Sequence, residues 1–596
     1  MRETAALIYF NKIKKVLSDN FFLRLLIIFT ILTAIKILLS VHFPSPIIMG
    51  DESSYDQKAN IIYQSLNIFG KPHFVADVLP GYPLVIGVAY LFSPDKIIIY
   101  HTMLIVNCIF TSLCIFPAYY FLSKFCSKNF SFLGTILVGL LPSVNGYVFL
   151  LMSENLFTVI FIFSIWFIVE YFEKGTLFWK LLAALSVMSL FSIRVMGIAM
   201  VFAFLLTVIY KTAYAQNISK PKGLFQNVDI YIILITVSLI SWFFISTYVM
   251  KNSFFEINPA VYQGSTIFTG VNLVNNLFLI FLTSIREIDF LIISTYFIVF
   301  VGLIYLIIKL NKFWFRKINF IPESNSKNDK IQFLIFPVIY VLSSVISFLI
   351  MTVIHMRYIS IFFEFGKSYQ IYGRLLDPIV PGIFLLGLSG LGILIKDEKK
   401  WKFFQYAIWI YLLILLGLII SFPTTTLQPV LEIFSISYLY YFNPVFPQLI
   451  FLLLFLGVTF ILLFLSLKYY NFFYILFSIL IIFSILSMFI GFQIYTNNSN
   501  FIDKYRNPIG KYLLDHPNPD DEYFMVANEI IDTQGFQMLL FTQFWAPKNI
   551  ILINNITDIS TIPKSNTRYI ISKKIYNLKK IECVDDPSEK FCLYNF

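Results

Sequence analysis

Uninterrupted apolar runs of membrane length recur along the chain, beginning with Phe21 to Phe43, and they leave few folds open. Lipid offers no hydrogen-bond partners, so backbone that crosses it must satisfy its amides within one helix or around a closed barrel. A barrel would alternate apolar and polar residues over segments of roughly ten. Continuous runs of roughly 20 specify helices instead. About 13 such segments can be placed. After the first they are expected at Ile97 to Phe121, Phe132 to Leu151, Asn155 to Phe172, Phe178 to Phe191, Val195 to Tyr210, Ile230 to Met250, Phe290 to Leu310, Phe333 to Ile354, Leu376 to Ile395, Phe403 to Phe422, Leu449 to Leu467 and Phe472 to Phe492. Composition agrees: 58% of residues are hydrophobic and 13% charged, where soluble domains carry about a quarter charged. The expected fold class is an all-α polytopic membrane protein.

Lysine and arginine in short loops mark the cytoplasmic side. Lys12, Lys14 and Lys15 precede the first span, and alternate loops then contain Lys124 and Lys128, Lys174 and Lys180, Lys309 and Lys312, and Lys396 and Lys400. This pattern puts the N-terminus inside and, after an odd number of crossings, the C-terminus outside. The expected location is the cytoplasmic membrane of a prokaryote, with the first run read as a retained signal anchor. The net charge of +11 is spread over many short loops, so it indicates no nucleic-acid partner. The five His residues are scattered and no CxxC or HExxH spacing occurs, so no metal site is specified. No cofactor is required by the sequence, and a divalent metal stays open. Cys583 and Cys592 invite a disulfide in the tail, although two free thiols are as consistent with the spacing.

The membrane domain is expected over 1–495, with a first outer loop at 44–96, and a small extracytoplasmic α/β domain over 496–596. That first loop reads Gly50-Asp51-Glu52-Ser53-Ser54-Tyr55-Asp56. From Glu52 to Phe69 the apolar spacing is helical and suits a helix on the membrane surface. Val85 to Phe92 is too short to span and reads as a second interfacial helix. The tail shows strand-like runs at Tyr523 to Ala527, Asn549 to Ile553 and Arg568 to Ile571, with a helical stretch from Gly535 to Trp545.

Several of these features resemble the membrane-embedded GT-C glycosyltransferases. An Asp-Glu pair follows the first span, Pro80 to Leu84 supply a Pro-x-Tyr-Pro-Leu element, and Ser153-Glu154-Asn155 open a later helix. Gly373-Arg374-Leu375-Leu376-Asp377-Pro378 is similar to an Arg-Tyr-Leu-x-Pro stretch near an outer membrane boundary. The branch most resembled holds the protein O-mannosyltransferases and the lipid A aminoarabinose transferases. The chain departs from that branch at Tyr100-His101-Thr102, where an Arg is usual, and at Leu375, where a Tyr is usual. The resemblance implies about 13 helices and transfer of a sugar, with inversion, from a polyprenyl-phosphate donor to an extracytoplasmic acceptor: a lipid, glycan or protein.

Such a reaction needs a base for the acceptor hydroxyl and cations for the departing phosphate. Asp51 is the candidate base, with Glu52 and Glu154 as further candidate catalytic acids. Arg374 leads the candidate phosphate ligands, helped by Arg357 and Lys367, because a guanidinium donates two parallel hydrogen bonds to phosphate. A plainer account accompanies each residue. Acids at a helix start favour the helix dipole, and basic residues at helix ends snorkel to the headgroups. Lys36 and Arg194 also fall where lipid penalises charge and are candidates on that ground. The competing function class is a transporter or flippase of lipid-linked saccharide. That class usually shows two related halves with charges at the membrane centre, whereas here no repeat is visible and the charges gather at one face.

Overall fold

The structure is a computed structural model. It describes residues 21–215 apart from 48, 69 and 71–77; 284–314 apart from 286 and 289; 331–362; 376–409 apart from 398–399, 402 and 404–407; 445–516 apart from 470–471 and 506; and, in the tail, 522–526, 544–545, 550–553, 568–572, 579–585 and 590–595. In chain order the helices are α1 (Phe21–Ser40), α2 (Met49–Ser65), α3 (Gly81–Ile86), α4 (Lys96–Leu113), α5 (Ile115–Phe125), α6 (Lys128–Leu140), α7 (Pro142–Asn145) and α8 (Glu154–Lys174). There follow α9 (Leu177–Ile193), α10 (Ile198–Ala215), α11 (Ile298–Trp314), α12 (Ile335–Phe362), α13 (Val380–Leu394), α14 (Val445–Lys468), α15 (Phe472–Tyr505) and α16 (Pro508–Asp515).

The chain is a multi-pass membrane protein. Among the described residues six helical runs are long and apolar enough to cross a membrane: Phe21–Ser40, Lys96–Phe125, Glu154–Lys174, Gln332–Thr352, Asp377–Leu394 and Phe472–Lys504. Shorter apolar helices, among them α6, α9 and the last turns of α14, accompany them. Of the expected spans, Ile230 to Met250 lies outside the described residues and Phe403 to Phe422 largely so.

Two compact units share the chain. One comprises Met1–Ile37, Cys108–Val148 and Ser153–Gly491; the other comprises Leu38–Asn107, Phe149–Met152 and Phe492–Phe596. In the first unit, α13 is buried along its whole length. Its sequence explains how: glycines alternate with leucines, and the glycines let neighbouring backbones come close. A Cβ built on Gly387 would lie 2.0 Å from the carbonyl oxygen of Val299, and one on Gly390 would lie 1.8 Å from that of Gly302, both on α11. Gly382 accommodates the Phe161 ring of α8 in the same way.

Two expected spans are interrupted. Phe132 to Leu151 is not one helix, because α6 ends at Leu140 and Pro142, which has no amide hydrogen to donate, starts a new turn. The Asn145 side-chain amide donates to the carbonyls of Gly139 and Leu141, at 2.9 Å each. Residues 146–152 continue as buried, non-helical backbone. The span expected at Phe290 to Leu310 breaks at Tyr296 and Phe297, whose φ values are 53° and 54°. Bulky residues rarely adopt that left-handed conformation, and α11 starts only at Ile298.

In the second unit, Ser45 fastens the approach to α2. Its amide donates to Ser499 Oγ (3.2 Å), Ser499 Oγ donates to its carbonyl (2.7 Å), and Asn507 Nδ2 donates to its hydroxyl (2.7 Å). The rings of Phe43, Phe149 and Phe492 pack beside it with centroids 4.7 to 5.8 Å apart. The tail forms a five-stranded sheet of β1 (Glu522–Val526), β2 (Ile550–Ile553), β3 (Arg568–Ser572), β4 (Lys579–Asp585) and β5 (Lys590–Asn595), in the order β2-β1-β3-β5-β4. β1 runs parallel to β2 and β3, while β5 is antiparallel to β3 and β4. The first three strands lie within a residue of their expected positions. The last two were not expected. They place Cys583 opposite Cys592, and Cys592 is disulfide-bonded.

The glycine seam gives a direct test of the packing. Gly387→Val would drive a branched side chain into the α11 backbone and should cost about 3 kcal/mol, the upper end for overpacking. Thermal unfolding in detergent should register this as a clear drop in melting temperature.

Candidate active site

The first turn of α2 holds Asp51 and Glu52, where negative charge is favoured by the exposed amides of a helix start. The two differ in what they can do. Glu52 is fully buried. One of its oxygens accepts the Ile47 amide at 2.7 Å, just upstream of the helix, and the other accepts the Leu151 amide at 2.9 Å, from the non-helical segment. Asp51 retains partial exposure.

One turn further, Asp56 is also buried. It accepts the Tyr90 hydroxyl at 2.7 Å and forms an ion pair with Lys96 at the start of α4. Tyr90 lies in the short 3-10 turn Gly87–Leu91. Burial first, and then the negative charge of Asp56, hold its phenol well above the ordinary tyrosine range. Gly87 in that turn packs against Ala59 and Tyr63 of α2, where a Cβ would come within 2.6 Å of the Tyr63 ring. Lys58, likewise fully buried, donates to the Gly70 carbonyl at 2.7 Å. From the Pro-x-Tyr-Pro-Leu element, Tyr82 donates to Asn107 Oδ1 at 3.0 Å, and Asn107 Nδ2 donates to the Leu150 carbonyl at 2.9 Å. The helix expected from Glu52 to Phe69 therefore forms, over Met49–Ser65. Ser53, Ser54, Asp56 and Lys58 are all buried within protein.

The first unit holds a separate set of buried polar groups. Glu154 opens α8, and its carboxylate pairs with Arg194 at 2.9 Å. Arg194 occupies the extended break after α9, with φ −153°. Two charges singled out separately in the sequence are thus brought together. Next to them in sequence, Asn155 donates to the Tyr147 carbonyl at 2.7 Å, and the Tyr147 hydroxyl donates to buried Asp377 at 2.8 Å. Asp377 belongs to the Arg374 motif but was not itself a candidate; an acid immediately before a buried apolar helix was the available signal. Lys36 is buried and donates to Thr111 Oγ1 at 3.0 Å.

Arg374, Lys367 and the side chain of Arg357 lie outside the described residues. Among the described residues, no group of three or more His, Cys, Asp or Glu side chains is arranged to hold a metal ion.

No protein-family model matches the sequence, and neither does any curated protein. Solved structures do match. The crystal structure of ArnT from Cupriavidus metallidurans bound to undecaprenyl phosphate is similar over 95% of this chain and 97% of its own, at 12% identity and a TM-score of 0.50. The apo form of the same protein gives 11% identity, 95% and 97% coverage and a TM-score of 0.48. The apo oligosaccharyltransferase of Archaeoglobus fulgidus gives 10% identity, 91% and 69% coverage and a TM-score of 0.39. The first comparison extends over nearly the whole of both chains and shows a shared fold.

Two stability measurements follow from these pairings. Glu52→Gln turns one of two accepting oxygens into a donor facing an amide, and should cost about 2 kcal/mol, the scale of a charge-assisted hydrogen bond. Removing Arg194 alone by Arg194→Met takes the guanidinium from the buried Glu154 carboxylate, a loss of about 3 to 5 kcal/mol. Adding Glu154→Gln to that variant should recover most of the loss in detergent unfolding experiments.

Proposed function

We propose that the protein transfers a glycosyl group from a polyprenyl-phosphate-linked donor to an extracytoplasmic acceptor, with Asp51 as the general base. The observation that carries this reading is the division of labour in α2. Glu52 and Asp56 are buried and bound to backbone amides, a phenol and an ammonium, and Asp51, in the same first turn as Glu52, is the acid that remains partly exposed. Support for the reaction class comes from the whole-chain fold similarity to a protein crystallised with undecaprenyl phosphate, together with the residues that resemble the GT-C enzymes.

In the proposed step the acceptor hydroxyl gives its proton to the Asp51 carboxylate as its oxygen attacks the anomeric carbon. The bond from that carbon to the phosphate oxygen breaks, and the electron pair leaves with the phosphate. The polyprenyl phosphate departs as a stable anion, so cations suffice to hold it and no acid is needed to protonate it. Attack from the face opposite the phosphate inverts the anomeric centre. Arg374 is proposed as the principal phosphate ligand, with Arg357 and Lys367 assisting. Glu154, fixed by Arg194, is proposed to orient the acceptor. Glu52 contributes by fixing the turn that presents Asp51.

The purified protein, incubated with lipid-linked monosaccharides and candidate acceptors, should release polyprenyl phosphate and form a glycosylated product detectable by mass spectrometry. Asp51→Asn should lower the turnover by about 10²-fold or more, the scale of general base catalysis, while the protein stays folded. Undiminished transfer by that variant would remove Asp51 as the base. Flux of intact lipid-linked saccharide across vesicles, without product, would favour a flippase.

A further inference from the structure

Lys96 stands at a junction. Its ammonium pairs with Asp56 of α2, donates to the Tyr90 hydroxyl at 3.1 Å, and lies 4.6 Å from the ring centroid of Phe544 in the tail. A cation over an aromatic face is attracted to it, more strongly where water is largely excluded. The Lys96 side chain is 16% exposed and Phe544 is 3% exposed. Phe544 also meets the Tyr100 ring edge-on, one turn along α4, at 5.9 Å and 90°. Its neighbour Trp545 packs on Tyr100 at 6.3 Å and lies under Lys511 of α16 at 5.6 Å. Among the described residues, Trp545 Nε1 and the Tyr100 hydroxyl have no hydrogen-bond partner. Ring packing and the two lysines therefore hold this tail dipeptide in place.

We infer that Lys96 is a positioning residue through which the Phe544-Trp545 anchor of the tail sets the orientation of α2, and with it Asp51. The inference rests on the reading of Asp51 as the base. The mechanics are simple. Glu52 holds the first turn of α2 and Asp56 the next, and those two grips lie only about 6 Å apart along the axis at 1.5 Å per residue. Loss of the Lys96 ammonium loosens the second of these grips, with the Tyr90 hydroxyl, Lys58 and the Gly87 contact still holding later parts of the helix, so that its first turns can shift. A displacement near 1 Å at a reacting group costs on the order of 10²-fold in rate. The tail thus takes part in building the active site.

The test compares full-length wild type with Lys96→Met, Lys96→Arg, Phe544→Leu and the Lys96→Met/Phe544→Leu double variant. Hydrogen exchange reads the link without reference to activity: amides of α2 should exchange faster in Lys96→Met and in Phe544→Leu, while those of α8 keep the wild-type rate. Turnover should fall about 10- to 100-fold in Lys96→Met with the donor KM within a factor of two, recover largely in Lys96→Arg, and fall no further in the double variant than in Lys96→Met. Wild-type α2 exchange in Phe544→Leu, or a multiplicative loss in the double variant, would overturn the link. Absence of transfer by the wild type would instead count against the proposed reaction, with α2 exchange still deciding the link.

Discussion

Glu52 carries the constraint on which the segment between α1 and α4 depends. A carboxylate removed from water loses several kcal/mol of hydration, and it is retained inside protein only where donors replace that water. Here the donors are two backbone amides, Ile47 just before α2 and Leu151 from a segment about a hundred residues later. Each partner needs the other. The Leu151 amide sits in buried, non-helical backbone, and without a partner it would incur the penalty of an unsatisfied donor. One side chain thus solves two problems, and in doing so it fixes where α2 begins.

The remaining polar groups of the second unit extend the same principle. Asn107 satisfies the Leu150 carbonyl next to Leu151 and is itself held by Tyr82. Asp56 gathers a phenol and an ammonium, and Lys58 satisfies the Gly70 carbonyl. Irregular backbone at membrane depth is tolerated only when protein, not lipid, surrounds it. A buried polar network is stable when its members are satisfied and costly when they are not. The buried acids of α2, Glu52 and Asp56, therefore serve the architecture.

How much of this the sequence reveals depends on the kind of signal. Continuous hydropathy locates α1, α8 and α13 to within a few residues, because burial in lipid and burial in a bundle both select apolar side chains. It is blind to backbone breaks inside an equally apolar stretch. Val144, Val148, Leu150 and Leu151 look like helix, and only Pro142 and Asn145 hint at the interruption. Tyr296 and Phe297 give no hint at all, since no local preference favours left-handed aromatics and the surrounding packing imposes them. β4 and β5 escape notice because β4 lies at the edge of the sheet, where Lys579, Lys580, Glu582 and Asp585 replace apolar residues; charge on an edge strand discourages pairing with other chains. In the candidate site, adjacency in sequence marked Asp51 and Glu52 as a pair, but nothing local distinguishes the exposed acid from the buried one. That difference is set by Leu151, far along the chain.

The first unit shows the same logic applied to full charges. Glu154 and Arg194 are each costly near a bilayer, and about forty residues separate them, so sequence alone offers two independent anomalies. Folding makes them one neutral pair, with the acid at the first turn of α8, where the helix dipole already favours it. Replacement of both by apolar residues of similar volume would be close to neutral for stability, so stability does not account for keeping them. What the pair provides is a carboxylate of fixed orientation whose charge is balanced, and a reaction that must orient a hydroxyl can use that without the cost of an uncompensated buried ion. Among the described residues Lys36 has no carboxylate partner; the Thr111 hydroxyl accepts from its ammonium in place of water, so it meets its desolvation through a neutral acceptor, by a different physical route.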